Sequence, residues 1–148
     1  MRNFFLLSSV AVFVLVVGFA FADDKTVLVY AIRGYAEGED FECPEDLKAL
    51  EKYLKETGLK RFALLNKDSM TAQKDSRVTM ALPEDLKAEI SVEEVAKEGV
   101  VRVRVKLIHE TGDKKETVLD TKYPLKDKPL LTNKRLQDGV LILAIILK

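Results

Sequence analysis

An α+β fold, with one helix packed on one face of a mixed, mostly antiparallel sheet of about seven strands, is what the sequence predicts. Three observations carry it. One segment, residues 44–57, repeats its leucines at helical spacing. From Arg77 onward apolar residues alternate instead with polar ones, the period of a strand with one wet and one dry face. The chain closes on Val140 to Leu147, an apolar run whose length and Val/Ile content suit a buried central strand better than a helix.

The elements follow in order. Residues 26–33 are rich in β-branched and aromatic types and read as a strand covered on both faces. An acidic loop runs from Gly34 to Cys43. Pro44 then fits a first helical position, Glu45 and Asp46 suit the positive end of the helix dipole, and Leu47, Leu50 and Leu54 line one face. Gly58 provides a left-handed stop. Arg61 to Leu65 is a second strand, and a strand–helix–strand order predicts a right-handed parallel crossover. Val78, Met80 and Leu82 alternate up to Pro83. Residues 84–98 carry both a capping-box spacing, Ser91 with Glu94, and the alternation Ala88, Ile90, Val92; a strand over 87–95 is the reading adopted. Val101 to Leu107 and Thr117 to Leu125 form a hairpin about Glu110–Asp113, and Asp138-Gly139 is a further turn.

The N-terminus has the three parts of a secretory signal: Arg2, an apolar run from Phe4 to Phe21, and the small-x-small exit Ala20-Phe21-Ala22. Residues 1–22 are therefore expected to be a cleaved leader and 23–148 a single domain, periplasmic or extracellular and bacterial. An uncleaved anchor is the alternative, and contact with a membrane is expected only through that segment. Loss of residues 1–22 takes Arg2 and no acid, leaving 23 basic against 24 acidic side chains. This balance argues against a nucleic-acid partner. Cys43 is the sole cysteine, so no disulfide forms within the chain.

Two residues bear on chemistry, and no catalytic, cofactor-binding or metal site is assigned. Cys43 precedes the helix, where free amides favour a thiolate, but Glu42, Glu45 and Asp46 oppose one. His109, the only histidine, falls on the dry face near a strand end, the place of a packed residue more often than of a base. A Cys43–His109 nucleophilic pair is a formal option that nothing in the pattern orients. Glu37, Glu39, Asp40 and Glu42 lack the oxygen ladder of a calcium loop, and Gly34 with Gly38 does not make a phosphate loop. No cofactor is expected.

The stretch from Val101 through Tyr123-Pro124-Leu125, Lys126 to Leu131 and Arg135-Leu136 to Leu143 resembles the final strands of bacterial secretin domains. Asn133 and Lys134 stand where that family has paired glycines, and the chain is much shorter than a pore-forming subunit. The resemblance implies a shared sheet architecture in an envelope protein. The function expected is that of an exported, non-enzymatic interaction, assembly or accessory module whose partner is another envelope protein. A small-ligand carrier, its pocket lined by Leu28, Tyr30, Phe62 and Leu64, is the first alternative; an exported hydrolase is the second.

Overall fold

A computed structural model describes residues 25–148, so the expected leader, 1–22, lies outside the described residues. The described chain is mostly sheet with one short helix. Its elements are β1 (Thr26–Tyr35), a 3-10 turn (Glu45–Leu50) continuing into α1 (Glu51–Lys55), β2 (Arg61–Thr71), β3 (Arg77–Ala81), β4 (Leu86–Val95), β5 (Val101–Thr111), β6 (Lys114–Leu125), β7 (Leu130–Arg135) and β8 (Val140–Leu147). The expected α+β class holds in this coarse sense.

The single mixed sheet does not form. The strands make two four-stranded sheets, ordered β2-β1-β8-β7 and β3-β4-β5-β6, with every pairing antiparallel. Burial gives the reason. Along β4 and β5 buried and less buried residues alternate, so the second sheet has one dry face. One short helix cannot cover a dry face of that width, and the first sheet covers it instead, as in a sandwich. Val27, Val29, Leu141, Leu143 and Ile145 from the first sheet pack with Met80, Ile90, Val103, Val105 and Leu107 from the second.

β1 and β8 occupy the middle of the first sheet and are buried on both faces. Their other face holds Tyr30, Ile32, Ile142 and Ala144, which meet Leu47, Leu50 and Leu54 of the helical segment. That segment is shorter than the expected 44–57, and its first half is 3-10. The three-residue step from Leu47 to Leu50 stacks both on one side of a 3-10 turn, and the four-residue step to Leu54 suits the α-helical half.

The expected parallel crossover is also absent: β1 and β2 are antiparallel neighbours, with Tyr35 opposite Arg61. Lys60 N–H donates to Tyr35 O (2.8 Å) and Glu42 N–H to Lys60 O (2.7 Å). Both ends of the helical insertion are thus pinned at one end of the sheet, so the chain leaves and returns without traversing the strand length a parallel connection needs. β2 runs to Thr71, past the expected Leu65, after a bulge that takes up Leu65. The eighth strand, β7, was not expected from its polar last four residues, Thr132 to Arg135; it forms because β8 offers it a complete ladder.

Turns 83–86, 112–113 and 136–139 gather at one end of the sandwich, beside the end of β1. At the opposite end Thr26 and Lys148 exchange two backbone hydrogen bonds of 2.9 and 2.8 Å.

Candidate functional site

The turn-bearing end holds an open cleft of about 560 Å3 between the two sheets, lined among others by Glu84, Asp85, His109, Lys134 and Gln137. His109 reaches it because β5 places it opposite Leu86 and Glu116, on the inward side, where the sandwich begins to open. Its Nδ1 lies 3.2 Å from Thr111 Oγ1. Glu84 and Asp85 form the two-residue turn joining β3 to β4, both with φ of 60°, a left-handed pair that such a turn imposes and that glycine or asparagine ordinarily fills. Glu84 is held there by work across the sandwich: its carboxylate accepts from Gln137 N–H at 2.9 and 3.2 Å and lies 3.9 Å from Arg33 Nη2. Arg33 Nε is buried without a hydrogen-bond partner. Glu84 thereby ties the β3–β4 turn of one sheet to the β7–β8 turn of the other. Sequence reasoning missed this residue because its partner is 53 positions away.

Cys43 lies elsewhere. It packs at the margin of the core between the first sheet and the helix, and lines a separate cleft with Tyr35, Arg61 and Phe62. Its Sγ–H is 3.6 Å from the carbonyl oxygens of Pro44 and Leu47. Burial pushes its pKa up, and Glu51, Asp46 and Glu45 add to this against the opposing Lys48. The thiol is therefore held protonated, the reverse of an activated nucleophile. Cys43, in the loop before the helical segment, and His109, on β5, line different clefts and share no hydrogen bond.

The acidic loop residues Glu37, Glu39, Asp40 and Glu42 are exposed. Among the described residues no group of three or more His, Cys, Asp or Glu side chains is placed to hold a metal ion. Leu28, Tyr30, Phe62 and Leu64, the lining of the pocket considered for a carrier, pack with the helical leucines, and Phe62 meets Phe41 with ring centroids 5.6 Å apart. Among the described residues no helix is long and apolar enough to cross a membrane.

The outer face of the second sheet is a mosaic of paired charges. Arg104 Nε–H and Nη2–H donate to Asp120 Oδ1 and Oδ2 at 2.8 and 2.7 Å, Arg104 also approaches Glu93, and Arg102 approaches Glu94. These arginines are thus engaged within the chain, and the unpaired backbone lies at the sheet edges. β2 is blunted by its bulge and by Asn66 and Asp68, whose side-chain oxygens accept from the N–H of Lys67 and Ser69. β3 and β7 have five and six residues.

β6 differs: it is a twelve-residue edge strand. Past a bulge at Val118 it runs regularly from Leu119 to Leu125 against β5. Pro124 has no N–H to give and faces Arg102, so that pair is a non-hydrogen-bonded one. Alternation puts Lys122 and Asp120 in the same class, with their N–H and C=O groups directed away from β5 to the open edge. Starting instead from the two-residue turn closed by Thr111 and Lys114 and counting through the bulge gives the same phase. Leu119 and Tyr123 alternate with them and pack, half-buried, on the core.

Compared with protein-family models, with curated proteins and with solved structures, the chain shows no significant match. The stretch from Val101 to Leu143 is divided between the sheets, β5 and β6 in one, β7 and β8 in the other.

Proposed function

We propose that this chain is an exported, non-enzymatic association module of the bacterial envelope, and that it works by strand addition at β6. The observation that carries the reading is the open backbone row of Asp120 and Lys122 on a long edge strand that no bulge interrupts between Leu119 and Leu125. A strand that docks there gains main-chain hydrogen bonds, and alternate side chains set which strand fits. The leader-like residues 1–22 support export.

The test takes the protein from cells expressing the full chain. N-terminal sequencing of envelope material is expected to start at Asp23. Hydrogen exchange at the Asp120 and Lys122 amides is expected to be slow in the assembled protein. Exchange at the Asp120 amide becomes fast in Lys122→Pro, which removes the edge-facing N–H of position 122 and no bond to β5. Edge amides that exchange as open strand in protein isolated from the envelope would overturn the reading.

A further inference from the structure

The β6 edge is self-complementary. Counting outward from Thr121 along its regular stretch, Asp120 is matched by Lys122 and Leu119 by Tyr123. We infer that β6 pairs with β6 of a second copy of this chain, antiparallel, about a two-fold axis through Thr121. The inference rests on the strand-addition reading above and names the partner at that edge.

The backbone phase fits this centre. In an antiparallel pair, hydrogen-bonded and non-hydrogen-bonded positions alternate. With the axis at Thr121, Asp120 of one copy stands opposite Lys122 of the other, and both present their N–H and C=O groups to the edge. Each of these two symmetry-related pairs then exchanges both backbone bonds. Thr121 meets its own symmetry mate as the non-hydrogen-bonded pair between them. A centre shifted by one residue to Lys122 would set Lys122 against itself, and one shifted to Asp120 would oppose two aspartates; like charges directly opposite are destabilising.

The side chains agree on both faces. On the outer face Asp120 meets Lys122 twice. Lys122 takes part in no ion pair within its own chain, among the described residues, so it is available to a partner's carboxylate. Asp120 already holds Arg104 through two hydrogen bonds, which fixes its carboxylate beside the edge. On the inner face Leu119 and Tyr123, both partly exposed where the sandwich stops, cover each other. Lysine on an edge strand ordinarily deters pairing. Here the aspartate two positions before it removes that deterrent for one partner in one register, the pairing with an identical strand. The contact is isologous and closes as a dimer of continuous eight-stranded sheet.

The test uses charge reversal on the full-length gene product, with mass read by light scattering. Wild type is expected at twice the monomer mass. Lys122→Asp sets Asp against Asp and Asp120→Lys sets Lys against Lys, so each variant alone is expected to be monomeric with an unchanged circular dichroism spectrum. Mixed, the two variants present Lys against Asp at every matched position and are expected to recover the doubled mass. Thr121→Cys in a Cys43→Ala background is expected to crosslink on oxidation, since the paired Cα atoms fall within disulfide reach; Arg77→Cys on the opposite edge strand is expected not to. A dimer that survives both charge reversals overturns the inference by placing the contact elsewhere. A monomeric wild type whose Asp120 and Lys122 amides are nonetheless protected in the envelope overturns it too, yet leaves strand addition standing with a different partner. A monomeric wild type with unprotected edge amides overturns both.

Discussion

At the scale of single residues, conformation and charge make separate predictions. Asp85 holds φ of 60° at the second position of a two-residue turn, where only its backbone carbonyl is engaged, by Glu110 N–H at 2.9 Å. Asp85→Gly is therefore expected to raise stability by about 1 kcal/mol, read as a higher urea midpoint at unchanged slope. Gly139 is the opposite case. At φ of 86°, a Cβ there would stand 2.7 Å from Gly34 O, a backbone atom, so Gly139→Ala is expected to cost at least about 1–3 kcal/mol. Asp120 sets a pH dependence. The hydrogen bonds from Arg104 lower its pKa in the folded state, so its contribution is present above the unfolded carboxyl's pKa and is lost as pH falls through the depressed folded value. Asp120→Asn should flatten that acid limb of the stability profile. Cys43 should alkylate slowly in the native state at neutral pH and faster as pH rises, because its thiol is held above its ordinary pKa. The placing of Cys43 before the helix and of His109 on an inward strand end could be read from periodicity alone. The tie from Glu84 to Gln137 could not, since no local pattern marks a hydrogen bond between turns on different sheets.

Among the elements, the helical segment packs on the first sheet through three leucines. Leu47, Leu50 and Leu54 are all fully buried against the first sheet. Leu54→Ala is expected to cost about 2–5 kcal/mol in chemical denaturation. Its leucine spacing was plain in the sequence; its 3-10 first half was not, because a step of three satisfies either helix. The strands β4, β5 and β8 were legible for a related reason: each buries most of at least one face, and the period of two, or an unbroken apolar run, records it, while β6 shows the same period on a face that is only half-covered. β7 buries little, with Leu130 to Thr132 only half-covered and Asn133 and Arg135 exposed, so its pattern carries no such record. The distal half of β2 is hidden likewise, since Asn66 to Ser69 pair with β1 through the backbone while their side chains face water.

For the whole molecule, one apolar core joins both sheets, and the helix seals a second on the far side of β1 and β8. Because those two strands belong to both cores, the sheets and helix are expected to unfold together. Far-ultraviolet circular dichroism and tyrosine fluorescence should give coincident transitions. Which strands share a sheet was beyond the sequence: alternation shows that a face is dry without showing what dries it, so one sheet beneath a helix and two sheets face to face write nearly the same pattern. The two hydrogen bonds between Thr26 and Lys148 have a consequence for how the fold is connected. The described backbone is nearly a closed ring, with β1 and β8 laid side by side at its seam. Where the ring is opened is then a matter of gene order rather than of architecture, and a permuted gene that bridges this seam and begins instead at Asp113 should yield the same sandwich.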